Sequence, residues 1–121
     1  MPEYKLAVAE AKFADIIWEN EPLSSMELVR LSEKSLGWKK STTYTVLKKL
    51  CDRGIFKNDK STVTSLMSKE DFYGGKSRQF VEETFGGSLP KFLTAFIGRN
   101  KLSDKEVEEM KNMIESYREG R

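Results

Sequence analysis

Between Lys39 and Lys49 the chain reads Lys-Lys-Ser-Thr-Thr-Tyr-Thr-Val-Leu-Lys-Lys. Cations and short hydroxyl side chains alternate there with a few apolar residues. Lys39, Lys40, Lys48 and Lys49 can neutralise phosphates. Ser41, Thr42 and Thr45 can donate or accept at base edges, and a Thr methyl can touch a thymine methyl. Tyr44 can reach either a phosphate or a base. This chemistry suits a polyanion with readable edges, namely double-stranded DNA.

Other chemistries are poorly provided for. The 121 residues contain no histidine, which removes Ser-His-Asp and Cys-His catalysis and the usual general base. The lone Cys51 excludes an internal disulfide and a Cys-rich metal site. Its place four residues after Leu47 reads as packing. Met110 and Met113 likewise read as interface packing, not as a copper pair. No phosphate-cradling glycine motif is present, and Gly74-Gly75 and Gly86-Gly87 stand outside such patterns. The chain therefore reads as no enzyme, with no cofactor and no metal. No run of about 18 apolar residues is present, so no membrane insertion is expected. Residues 1–10 lack the apolar core of a secretion signal, and the expected location is the cytoplasm, on the nucleoid.

Charge placement supports the polyanion reading. Residues 1–37 carry four Lys/Arg and seven Asp/Glu, a net of −3. Residues 38–60 carry seven Lys/Arg against Asp52 and Asp59, a net of +5. Residues 61–121 hold ten of each, so one 23-residue segment holds the whole positive surplus. Such clustering is the electrostatic footprint of a nucleic-acid site. An acidic protein partner would find the same Lys-rich face, and a protein-interaction module is the alternative reading.

Elements must hold that segment in place. Leu6, Ala9, Phe13, Ile16 and Ile17 recur at steps of three and four, predicting a helix from about residue 7 to Asn20, ended by Pro22. Ser24 with Glu27 is a capping box opening a second helix, which Gly37 closes. A third helix follows Trp38, its start favoured by the hydroxyls at 41–43, its inward stripe Thr43, Val46, Leu47 and Leu50. Ile55–Asn58 and Val63–Met67 read as strands around a four-residue polar turn, Asp59–Thr62, with Lys60 as the cation at the tip. Helix, helix, helix and hairpin is the winged helix-turn-helix order, whose third helix enters a major groove.

From Ser68 the chain is helical again. Gly74-Gly75 weaken one helix and Gly86-Gly87 break it. Leu89–Ile97 is short. Ser103 with Glu106 caps a last helix, with outer ion pairs Lys105–Glu109 and Lys111–Glu115. Its stripe Val107, Met110, Ile114 and Tyr117 is narrow, and with Phe92, Phe96 and Ile97 it needs a partner surface, most economically a second copy. The reading is mainly α with a small β-hairpin: a winged-helix DNA-binding domain over 1–67 and a helical dimerisation region over 68–121.

The chain resembles the penicillinase and methicillin-resistance repressor family, which also includes copper-responsive repressors. The resemblance rests on Ala9-Glu10, Ile16-Ile17-Trp18, the stretch from Trp38 through Thr45-Val46-Leu47-Lys48-Lys49-Leu50 to Arg53-Gly54, Phe85-Gly86-Gly87-Ser88-Leu89, and Lys101-Leu102-Ser103. It implies a dimer with intertwined C-terminal helices that represses transcription from a palindromic operator. It also implies release by a signalling protease, at a bond corresponding to Ala95-Phe96. Relatives often carry Asn where this chain has Ala95. They usually carry Gly-Arg and a Tyr in the wing, which this chain lacks. The paired Cys-x-Cys motifs of copper-responsive members are also absent.

Overall fold

A computed structural model of the chain describes residues 4–120. The elements run α1 (Val8–Asn20), β1 (Leu23–Ser24), α2 (Ser25–Leu36), α3 (Lys40–Asp52), β2 (Phe56–Asp59), β3 (Thr62–Ser65), α4 (Lys69–Phe85), α5 (Leu89–Ile97) and α6 (Asp104–Arg118). The strands form one antiparallel sheet in the order β1-β3-β2. Three packed helices followed by a hairpin make this a winged helix.

Local chemistry explains most boundaries. Ser24 Oγ accepts from Glu27 N at 3.0 Å and starts α2, but the Glu27 carboxylate pairs with Arg30 and does not close the box. In α3 the expected hydroxyl cap is absent. The helix begins after Lys39 with no side-chain cap, and the hydroxyls bond back along it. Thr43 Oγ1 donates to Lys39 O at 3.2 Å and Thr45 Oγ1 to Ser41 O at 2.9 Å. Ser88 and Ser103 cap α5 and α6, and Glu106 returns to Ser103 N at 3.1 Å. On α6, Lys105 reaches Glu109, whereas Lys111 pairs with Glu108 and Glu115 with Arg118.

The hairpin is tighter than the sequence predicts. Its turn is two residues, Lys60 and Ser61, not four, and β3 ends at Ser65. Both turn residues have positive φ, 50° and 65°, as a two-residue hairpin of the I′ kind requires.

The first compact unit ends at Gln79, within α4. Its core unites Phe13 and Ile17 of α1, Leu28 of α2, Leu47 and Leu50 of α3, Ile55, Phe56 and Val63 around the hairpin, and Phe72 of α4. Each is at most 2% exposed. Trp18 closes one side, its ring centroid 5.3 Å from Phe56 and 5.8 Å from Phe72, its Nε1 donating to Met67 O at 3.0 Å. Lys69 Nζ meets Asp15 Oδ1 at 3.1 Å, tying the start of α4 to α1. Helix α4 runs unbroken through Gly74-Gly75. The Tyr4 ring lies against Gly75 so closely that any Cβ there would overlap it.

The second compact unit begins at Phe80. Phe80, Phe85 and Phe92 form an edge-to-face triad with centroids 5.6–6.1 Å apart, and Phe96 adjoins Phe92 at 6.1 Å. Gly86 and Gly87 supply the positive φ values, 60° and 83°, that turn the chain between α4 and α5. Neither α5 nor α6 contains a buried residue.

Candidate nucleic-acid interface

Packing fixes which way α3 faces. Thr43, Leu47 and Leu50 are buried, so the opposite side is solvent-facing. Ser41, Thr45, Lys48 and Asp52 step by four, three and four along that side and are all exposed. Lys39 and Lys40 stand exposed at its front, with Thr42 on the flank. Residues with short hydroxyls and cations thus share one rigid, outward helix face.

Three of the expected contact side chains, Lys48, Lys49 and Tyr44, pair with other side chains. Lys48 Nζ holds Asp52 Oδ2 at 3.0 Å, but both side chains are largely exposed, so the pair contributes little and exchanges readily for a phosphate. Lys49 Nζ reaches across to α1 and meets Glu10 Oε2 at 2.7 Å. Tyr44 is half-buried, its hydroxyl donating to Ser25 Oγ at 3.2 Å and lying 3.8 Å from Met26 Sδ. Lys60 is exposed in the hairpin turn, away from α3 in the chain.

Ser25 organises this region. Its Oγ receives the Tyr44 hydroxyl, and its N–H donates to Ser61 O at 2.8 Å. The starts of α2 and the hairpin turn, with Tyr44 from α3, converge on one buried serine. Sequence reading missed Ser25 and Glu10, because both act through partners 19 to 39 residues away.

The Lys49 hydrogen bond, helped by the Ala7 backbone N–H, holds the Glu10 carboxyl below its usual 4.5. A depressed carboxyl stabilises the fold above its unfolded value and loses that contribution as pH falls through the folded value. Glu10→Gln should therefore destabilise by roughly 1 kcal/mol at neutral pH, a modest figure because Lys49 is more than half exposed. The gap between the two proteins' thermal melts should close below pH 4.5. A gap independent of pH would show that charge is not its origin.

Cys51 is half-buried beside Asn58, and burial pushes its thiol pKa up, followed by the Asp52 charge. Such a thiol is a poor nucleophile. Among the described residues no group of three His, Cys, Asp or Glu side chains could hold a metal ion. No helix there is long and apolar enough to cross a membrane.

The fold and its outward basic, hydroxyl-rich helix face place the chain in the winged-helix class. The comparison with known families makes this specific. The penicillinase repressor family model matches residues 6–116, and the chain belongs to that family of transcriptional repressors. It is 22% identical to the penicillinase repressor of Bacillus licheniformis over 118 residues, covering 94% of this chain and 92% of that one. It is 24% identical to the methicillin resistance regulatory protein MecI of Staphylococcus aureus over 115 residues, covering 92% and 94%.

Proposed function

We propose that this protein represses transcription in the cytoplasm as a homodimer bound to a palindromic DNA operator. The observation that carries this reading is the outward face of α3, where Ser41, Thr45 and Lys48 align opposite the buried stripe of Thr43, Leu47 and Leu50. Lys39, Lys40 and Lys48 neutralise phosphates, while Ser41, Thr42 and Thr45 meet base edges. Lys49 positions α3 through Glu10, and Tyr44 does so through Ser25.

The second unit supports dimerisation. Phe96 is 47% exposed, Ile114 59% and Tyr117 83%, with Ile97 and Val107 also exposed and Phe92 and Met110 half-buried. A soluble single chain rarely leaves so many large apolar side chains open along neighbouring helices. A second copy covers them and, by two-fold symmetry, brings a second α3 to the next major groove, about 34 Å along the duplex. The DNA-binding module, expected over 1–67, accordingly takes in the first part of α4 as far as Gln79, and the dimerisation region begins at Phe80. Release follows from cleavage by a signalling protease at Ala95-Phe96, both exposed in the short helix α5. Cutting there severs Phe96, Ile97 and the α6 stripe from the chain, leaving only Phe92 of the dimer face.

Two substitutions separate base reading from phosphate binding. Thr45→Ala should lower the preference for operator over random duplex by about tenfold. Lys48→Ala should weaken both duplexes alike and reduce the salt slope by about one. Equal losses on specific and random DNA for both variants would refute the assignment of roles.

A further inference from the structure

We infer that this repressor reads its operator from the major groove alone, its hairpin being a docked brace that touches only the DNA backbone. The inference rests on the DNA-binding reading above and deepens it. In the β2–β3 hairpin, Phe56 pairs with Ser65, Lys57 with Thr64, Asn58 with Val63 and Asp59 with Thr62. Strand β1 pairs with the outer end of that hairpin, Leu23 with Val63 and Ser24 with Thr62. The body of the domain thus accompanies the hairpin to its last residue pair. Only Lys60 and Ser61 lie beyond it.

The hairpin is also pinned at both ends. At the tip, Ser61 O accepts from Ser25 N at 2.8 Å, which binds the turn to the start of α2. At the base, Glu21 Oε1 accepts from Ser65 N at 2.8 Å, and both Glu21 carboxylate oxygens receive the Ser65 hydroxyl at 2.8–2.9 Å. Val63 and Phe56 are fully buried from the hairpin into the core. A loop that reads base edges in the minor groove must stand out far enough to enter a slot about 6 Å wide and 7.5 Å deep. A two-residue turn held flush against a helix start does not. The exposed Lys60 ammonium still reaches a phosphate, which lies at the surface of the duplex.

Inosine distinguishes the grooves. An I·C pair looks like A·T in the minor groove and like G·C in the major groove, because it lacks the guanine 2-amino group. The full-length protein would select its operator from randomised 30-base-pair duplexes. Each A·T pair of the selected site would then be replaced by G·C and, separately, by I·C. Every position that matters should lose affinity to the same extent with both, by about fivefold or more. Lys60→Ala should weaken all duplexes alike and leave the selected sequence unchanged. A position at which G·C costs fivefold and I·C costs nothing would overturn the inference, as would a changed sequence preference in Lys60→Ala. Failure to enrich any sequence would instead remove the DNA-binding reading itself, and the inference with it.

Discussion

Leu50→Ala should abolish operator binding while leaving every DNA-facing side chain in place. Leu50 is fully buried, in the last turn of α3. It belongs to the same apolar cluster as Phe13, Ile17, Leu47 and Ile55. Its carbonyl also receives Ile55 N at 3.1 Å, so it sits where α3 hands over to the hairpin. Truncating a buried Leu costs roughly 2–5 kcal/mol through lost transfer energy and the cavity left behind. A small domain has only about 5–15 kcal/mol in total. The melting temperature should therefore fall by about 10 °C or more. The same variant should show no specific gel shift at the working temperature. An unchanged melt with lost binding would mean that Leu50 acts on DNA directly, which contradicts the packing of α3.

Ile114→Glu should have the opposite profile, sparing the first unit and destroying the dimer. Ile114 is 59% exposed in the single chain, so the change costs the monomer little. In a dimer it forces a carboxylate into an apolar seam with Val107, Met110 and Tyr117, where an unpaired charge is strongly unfavourable. Sedimentation at micromolar concentration should move from dimer to monomer. Operator affinity should fall by about a hundredfold or more, because the second α3 no longer binds at the high effective concentration that a shared scaffold provides. The winged-helix unit should keep its near-UV circular dichroism. A variant that remains dimeric would place the interface elsewhere.

Most elements were legible in the sequence because their signals are local. The stripe Phe13, Ile16, Ile17 marks α1, and Ser103 with Glu106 marks α6. Gly86-Gly87 marks the break that the positive φ values require. Strand β1 was missed because two residues, Leu23 and Ser24, cannot display an alternation. The hairpin turn was misjudged because Lys60-Ser61 adopts left-handed backbone without the Asn-Gly or Asp-Gly that usually announces it. The need for Gly at position 75 was not legible either, because nothing near it foretells the Tyr4 ring that takes the space.

The candidate site shows the same division. Helical spacing was enough to put Ser41, Thr45 and Lys48 on one face and Thr43, Leu47 and Leu50 on the other. It could not reveal that Lys49 turns to Glu10 or Tyr44 to Ser25, since both depend on how α3 docks on α1 and α2. The apolar stripe on α6 was visible as a period. The Phe80, Phe85 and Phe92 triad emerges only when α4 and α5 fold together.

The most direct test of the central claim is equilibrium binding of the intact protein to its selected palindrome and to random duplex across a salt series. Two copies, each using several of Lys39, Lys40, Lys48 and Lys60, should give a steep fall of log affinity with log salt, close to 0.9 for each phosphate contacted. The palindrome should be preferred over random duplex by about a thousandfold or more at physiological salt, with one dimer per site. Equal affinity for the two duplexes at every salt concentration, or one monomer per half-site with no gain from the second, would contradict the account.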